Sequence, residues 1–80
     1  MRIDKFLKNS RIIKRRTVAK EACDGGRVKI NGKTCKAGDE VSVNDIIEVG
    51  FGTGTVKVKV LKVLENPRKN EASEMLERID

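Results

Sequence analysis

Arginine and lysine side chains that could bind phosphate cluster in the first half of the chain. Residues 1–36 hold twelve of them against three Asp or Glu, a net charge of +9, whereas residues 37–80 have a net charge of −3. A guanidinium can hold a phosphate through two parallel hydrogen bonds, and an ammonium acts as a mobile point charge. A one-sided positive potential attracts polyanions. We therefore expect a polyanion partner, with Arg2, Arg11, Arg15 and Arg16 as the principal contacts.

Side chains for metal or acid–base catalysis are scarce. The sequence has no histidine, and Cys23 and Cys35 cannot by themselves supply the ligand set of a zinc site. Asp4, Asp24 and Asp45 show no paired-carboxylate arrangement. We predict that the protein is not an enzyme and that it holds neither a metal nor a cofactor.

The two cysteines are expected to be free, buried thiols of a cytoplasmic protein. A Cys23–Cys35 disulfide is arithmetically feasible, but neither an apolar N-terminal signal segment nor a further cysteine suggests a secreted scaffold. No stretch approaches the roughly 20 apolar residues of a membrane span. We therefore expect no contact with a membrane.

The length of 80 residues indicates a single domain with a thin core. Phe6 and Phe51 are the only aromatic residues, which disfavours a deep apolar ligand site. Residues 50–54, Gly-Phe-Gly-Thr-Gly, could be interpreted as a nucleotide-binding glycine loop. A turn between strands is favoured, because no helix pattern follows these glycines.

Two short helices are predicted to carry the basic residues. The first has an apolar face at three- and four-residue spacing, made of Ile3, Phe6, Leu7 and Ser10. Thr17 is a candidate N-cap of the second helix. The apolar stripe of that helix consists of Val18, Ala19, Ala22 and Cys23. The consecutive glycines at 25 and 26 are expected to end it, and the two apolar stripes would pack together.

Alternation of polar and apolar residues predicts strands in the rest of the chain. Residues 27–30 alternate, Asn31-Gly32 favours a tight hairpin turn, and residues 33–35 form the return strand. Residues 46–51 predict a third strand, and the alternating valines between 56 and 60 predict a fourth. The lysines between those valines, Lys57 and Lys59, are expected to face solvent. The predicted fold class is α+β, with two N-terminal helices packed on a small, largely antiparallel sheet.

Residues 65–80 are predicted to be a linker followed by a short acidic amphipathic helix. Pro67 and three polar residues precede Ala72, Met75, Leu76 and Ile79, which lie at helical spacing. This helix is expected to dock on the core. The alternative is a tail that binds a partner.

An ordered series of short motifs in residues 1–50 resembles the alpha-L RNA-binding domain, also called the S-four domain. The series is Arg2-Ile3-Asp4-Lys5-Phe6-Leu7, Arg11, Lys14-Arg15-Arg16-Thr17-Val18-Ala19, Gly26-Arg27-Val28 and Val28-Lys29-Ile30-Asn31-Gly32. The resemblance implies two helices beside a small antiparallel sheet, with the RNA-binding domain at residues 1–64 and its motif core at residues 1–50. By match of position, it implies an RNA face made of Arg2, Asp4, Lys5, Arg11, Lys14, Arg15, Arg16, Thr17 and Lys20.

The bare domain is similar to small bacterial members of this family that act in ribosome quality control and in heat-shock ribosome recycling. That similarity implies a non-enzymatic factor that stabilises peptidyl-tRNA on obstructed large subunits. It implies that the partners are large-subunit ribosomal RNA, tRNA and the elongation factor that adds alanine tails. No dimerisation segment is evident, so a monomer is expected.

Two other functions remain open. Two short helices with a basic second element are also typical of helix-turn-helix DNA regulators. A different factor that binds ribosomal RNA, in ribosome assembly or recycling, is the other alternative.

Asp4 is unusual on a face that binds phosphate. We predict that it caps the first helix or orients Arg2 or Arg16 through an ion pair. Phe6 is the only aromatic residue in the basic half and is expected in the core. Recognition of folded RNA by its shape and backbone is therefore favoured over base stacking.

Overall fold

The structure, a computed structural model, describes residues 1–79. It contains the helices α1 (Ile3–Asn9) and α2 (Arg16–Asp24) and the strands β1 (Val28–Ile30), β2 (Lys33–Thr34), β3 (Ile46–Phe51), β4 (Gly54–Val60) and β5 (Leu76–Arg78). The strands form one sheet in the order β2-β1-β3-β4-β5, and all neighbouring strands are antiparallel. The predicted α+β class, with two helices and an antiparallel sheet, is confirmed. None of the helices described in residues 1–79 is long and apolar enough to cross a membrane.

The core lies between the helices and one face of the sheet. Alternate residues of the strands point to the same face, and Val28, Ile47, Val49, Val58 and Val60 are buried there. The predicted apolar residues of the helices cover them: Ile3, Phe6, Leu7, Ala19, Ala22 and Cys23 are all buried. Packing of these two sets fixes the helices on the sheet and leaves the basic side chains outside.

The start of α2 differs from the prediction. The helix begins at Arg16, and its N-cap is Arg15, which has an extended backbone and no side-chain capping bond. Thr17 therefore lies inside the first turn, and its prediction as the N-cap is wrong. Val18 is exposed, because it faces a cleft beside β3 instead of packing on α1.

A tight turn joins β1 and β2, as predicted. Asn31 and Gly32 have φ values of 51° and 83°, in the left-handed region that Asn and Gly adopt most readily. The Asn31 side-chain oxygen accepts a hydrogen bond from the backbone N–H of Ile46 at 2.9 Å, and its amide donates to Asp45 at 3.1 Å. These bonds tie the turn to the start of β3.

The prediction of a C-terminal helix is wrong. Only Ala72–Glu74 form a 3₁₀ turn, and β5 pairs with Val58–Val60 at the edge of β4. Met75 is buried whereas Ile79 is exposed, so the residues at helical spacing do not share one buried face. A helix of this length is marginal in water, and the edge of β4 presents backbone groups that a strand can satisfy. Asp80, the last residue of the predicted helix, lies outside the described residues.

The sheet face opposite the helices carries charges of both signs. Lys29, Glu48 and Lys57 lie side by side across β1, β3 and β4, and the Lys57 ammonium is 3.6 Å from the Glu48 carboxylate. Lys59 lies opposite Glu77 across β4 and β5. The two lysines expected to face solvent are therefore placed on a face whose acidic residues offset much of their charge.

Candidate RNA-binding surface

The loop at residues 36–41 fixes the N-terminal end of α1, where Arg2 lies. The backbone N–H of Ile3 donates to the carbonyl of Asp39 at 2.7 Å. The N-terminal ammonium pairs with the Glu40 carboxylate at 2.6 Å. Because N–H groups in the first turn have no partner within the helix, the loop takes the place of a side-chain cap. It thereby holds Arg2 at the start of α1.

A buried carboxylate, Asp4, lies beneath two arginines. Its side chain is 3% exposed, and it accepts hydrogen bonds from Nε and Nη2 of Arg2, each at 3.2 Å. The Nε atom of Arg16 lies 3.5 Å from Oδ2 of the same carboxylate. The two arginine side chains are themselves 48% and 47% exposed. Asp4 therefore holds guanidiniums from both helices while the rest of each guanidinium faces solvent.

This geometry distinguishes the two roles predicted for Asp4. The N-cap position of α1 is Arg2, and no side chain makes a capping bond there. Asp4 instead accepts a bond from the adjacent backbone N–H of Lys5 at 2.8 Å, which fixes the carboxylate against the helix. Its contacts are those of a residue that orients Arg2 and Arg16 together. We call Arg2, Asp4 and Arg16 the arginine cluster.

A polar recess of about 350 Å³ lies beside the end of α1. The side-chain amide of Asn9 holds its far wall by donating to the carbonyls of Leu64 and Glu65, each at 3.0 Å. Arg11 has a φ of 66°, a conformation uncommon for a residue with a side chain. The lining residues are Lys8, Asn9, Arg11, Lys14, Glu65, Asn66 and Pro67. Three cations around such a recess suit phosphate groups.

The other predicted RNA-face residues are placed unevenly. Lys5 is partly neutralised, because its ammonium lies 3.1 Å from the Glu65 carboxylate. Arg15, Thr17 and Lys20 are exposed at the N-cap and on the surface of α2. The ion pairs within residues 1–79 include none with Arg11, Lys14, Arg15 or Lys20. The structure thus brings Arg2 and Arg16 together at Asp4, and it brings Arg11 and Lys14 together around the recess. Thr17 and Lys20 belong to neither group.

Two cations were left out of the predicted RNA face. Lys8 lines the same recess as Arg11 and Lys14, and its three-residue spacing from Arg11 was a signal that could have included it. Arg27 lines a separate cleft between α2 and β3. The Gly26-Arg27-Val28 motif includes Arg27, but only the packing of the helix on the sheet brings its side chain to this cleft.

The cysteines are free and buried, as expected. Burial raises the pKa of the Cys23 thiol to about 12 and also raises the pKa of the Cys35 thiol. Both thiols are therefore protonated at neutral pH, and only a thiolate is a good nucleophile or metal ligand. In residues 1–79, no group of three or more His, Cys, Asp or Glu is placed to hold a metal ion.

The sequence is similar to proteins of one family over nearly its whole length. The model of the S4 domain matches residues 1–47. The RQC P-site tRNA stabilizing factor of Streptococcus pneumoniae is 51% identical over 79 residues, which cover 99% of this chain and 90% of that protein. Its namesake in Bacillus subtilis is 49% identical over 75 residues, with 94% and 87% covered. The heat shock protein 15 homolog of Aeromonas salmonicida is 33% identical, with 95% and 58% covered.

Solved structures share the whole fold. The trimeric structure of heat shock protein 15 from Vibrio cholerae has a TM-score of 0.92 at 26% identity and covers 99% of this chain and 81% of that one. The solution structure of hypothetical protein HP1423 has a TM-score of 0.85 at 32% identity, with 100% and 98% covered. The chain therefore belongs to the S4 domain family and, within it, to the family of RQC P-site tRNA stabilizing factors.

Proposed function

We propose that this protein is a non-enzymatic factor that binds large-subunit ribosomal RNA and tRNA and stabilises peptidyl-tRNA on obstructed large subunits. The name of its relatives refers to stabilisation of P-site tRNA. The single observation that carries the proposal is the arginine cluster, in which one buried carboxylate holds guanidiniums from both helices. The proposal extends to the alanine-tailing elongation factor as a partner.

The cluster suits phosphate binding because its geometry exists before RNA arrives. A free arginine loses side-chain entropy when a phosphate immobilises it. Arg2 and Arg16 have already lost part of that freedom to Asp4. The phosphate then meets two oriented forks instead of two flexible chains, and Asp4 acts as a positioning residue.

A surface of this kind can stabilise a bound tRNA without chemistry. Two RNAs that lie side by side repel through their phosphates, and cations between them lower that repulsion. The arginine cluster lies at the N-terminal ends of the helices, whereas the recess with Lys8, Arg11 and Lys14 lies beside the end of α1. We assign the RNA face to Arg2, Lys5, Arg11, Lys14, Arg15, Arg16, Thr17 and Lys20 and add Lys8. Contacts to phosphates fix position and orientation, which is what holding a tRNA requires.

The test is to purify the tagged protein from its own cells and to identify the RNA and subunits that accompany it. Free large subunits that carry peptidyl-tRNA are the expected companions. Intact ribosomes, small subunits or unrelated RNA as the main companion would refute the proposal. Chromosomal DNA would support the helix-turn-helix alternative instead.

Matched double variants test the assigned surface. Replacement of Arg2 and Arg16 by Ala should abolish the association, whereas replacement of Lys57 and Lys59 removes the same charge from the opposite face and should preserve it. Because removal of both arginines leaves the buried Asp4 unpaired, a second double variant, Arg2→Lys with Arg16→Lys, keeps cations beside it. This variant should fold and still bind weakly, since Lys lacks the bidentate fork. Equal losses in the Arg2/Arg16 and Lys57/Lys59 alanine variants would contradict the assignment.

A further inference from the structure

An apolar cleft lies between α2 and the end of the β3–β4 hairpin. Its volume is about 240 Å³. Phe51 and Val18, on opposite sides, are 43% and 44% exposed. Phe51 follows Val49 by two residues and so shares the helix-facing side of the sheet, but it lies at the hairpin end, where α2 does not cover it. An aromatic face is therefore open to a ligand.

Glycines flank Phe51 on both sides. Gly50 and Gly52 line the cleft, and neither has a side chain that could cover the ring. On the other side, Ile12 and Ile13 of the loop after α1 complete the apolar wall. The cleft thus offers a ring for stacking and aliphatic side chains for the edge of a bound group.

The charges around the cleft favour a nucleic acid over an acidic or neutral apolar partner. Arg27 lines the cleft, and no carboxylate does. Lys14 and Arg15 follow Ile13 directly in the chain, so the apolar wall continues into the predicted RNA face. A nucleotide combines a flat base with a negative phosphate, which matches an aromatic face beside cations. Phe51, an exposed phenylalanine at the border of a basic surface, is therefore complementary to a nucleotide.

We propose that the cleft binds one unpaired base of the RNA that the basic surface holds, stacked on Phe51, with Arg27 beside the adjoining phosphate. This inference rests on the proposed function, because the surrounding cations must already hold RNA. It adds a base contact to recognition that otherwise depends on backbone and shape. The packing of β3 beside the loop after α1 supplies an exposed aromatic residue, whereas Phe6, the aromatic residue of the basic half, is buried.

The test compares three RNA hairpins that share one stem: fully paired, with one bulged uridine, and with an abasic site at the bulge. Fluorescence anisotropy measures the Kd of each. The bulged uridine should bind about 5- to 150-fold more tightly than the abasic bulge, the range expected for one base stacked on an aromatic ring. Phe51→Ala should remove this preference, and Phe51→Leu, which keeps an apolar side chain without the ring, should remove most of it. Leu61→Ala, at another exposed apolar residue at the opposite end of β4, should retain it.

The outcomes separate this inference from the proposed function. Arg16→Ala should weaken binding of all three hairpins and leave the ratio between them unchanged. Equal Kd values for the uridine and abasic bulges, with strong salt dependence, would overturn the base site alone. Weak binding of every hairpin without salt dependence would overturn RNA binding itself. Self-association that Phe51→Ala abolishes, without any preference for the base, would assign the cleft to a second copy of the chain and overturn the inference.

Discussion

Replacement of Asp4 by Asn tests whether the carboxylate orients the arginine cluster, because two physical effects predict opposite signs. Asp4 is a negative charge on a surface that we assign to phosphate. If its charge were all that mattered, its removal would strengthen RNA binding. If its function is to hold Arg2 and Arg16, its removal should weaken binding.

The structure indicates which effect is larger. Each arginine released from Asp4 must be immobilised by the phosphate, at about 0.5–1.5 kcal/mol each, or roughly 1–3 kcal/mol for the pair. A phosphate on the solvent side of the guanidiniums would lie about 7 Å from the carboxylate, where the repulsion is about 2.4 kcal/mol at the effective dielectric constant of about 20 near a protein surface and about 1 kcal/mol after screening by physiological salt. At physiological salt the balance is therefore a loss of up to about 2 kcal/mol, or up to roughly 30-fold in Kd.

The assay is anisotropy with labelled tRNA over a series of salt concentrations. Asp4→Asn should raise the Kd at physiological and higher salt, where the repulsion from the carboxylate is screened and the cost of ordering the two arginines dominates. Glu48→Gln is the matched control. It removes one carboxylate from the opposite sheet face, where Glu48 pairs with Lys57, and should leave the Kd nearly unchanged. Equal or tighter binding by Asp4→Asn, with its cooperative thermal transition intact, would refute the orienting role.

Three further results are expected. About six engaged phosphates should give a slope of log affinity against log salt near −4 to −5 for RNA, and a nearly flat dependence would contradict phosphate contacts. Met75→Ala should lower the free energy of unfolding by about 2–4 kcal/mol, because Met75 is buried, and Ile79→Ala should lower it by less than about 0.5 kcal/mol, because Ile79 is exposed. Equal losses for the two variants in denaturant titrations would contradict the packing of the segment that contains β5. Burial raises the pKa of Cys23 in the folded protein to about 12. Its contribution to stability is therefore complete below about pH 9 and declines toward pH 12, because the thiol of the unfolded chain ionises over that range. Cys23→Ala should make the free energy of unfolding depend less on pH between about pH 9 and pH 12.

The elements that the sequence predicted depend on local patterns. The apolar face of α1 repeats at helical spacing, and Asn31-Gly32 fixes a turn by the conformational freedom of two residues. The C-terminal segment was mistaken because Ala72, Met75, Leu76 and Ile79 also fit helical spacing over a short stretch. The edge of β4, which pairs with this segment, is remote in sequence, so only the assembled sheet shows that a strand is the better solution. The local spacing of apolar residues carries no information about that pairing.

In the candidate site too, the sequence predicted the local features, whereas the contacts depend on packing. The residue types predicted Arg2 and Arg16 as phosphate ligands, and they predicted that Asp4 caps the first helix or orients one of these two arginines. That it contacts both depends on how α1 packs against α2, which spacing alone does not give. Phe51 is a stronger example of a residue whose position depends on packing, because it lies outside the basic half and was predicted only as the end of a strand and part of a turn. The structure places it beside Ile13, next to the cations.

The pairing of strands turns the difference in charge between the two halves of the sequence into a difference between two faces of the protein. The basic half includes Lys29, and the sheet places this lysine beside Glu48 of the acidic half. Glu77 of β5 does the same for Lys59 of β4. The acidic residues of the second half thus offset cations on the outer sheet face, whereas Arg11, Lys14 and Arg15, on the helical side, have no such offset within residues 1–79. We therefore expect RNA to be attracted mainly to the helical side, which would give a small protein one defined orientation on its target without any sequence-specific contact.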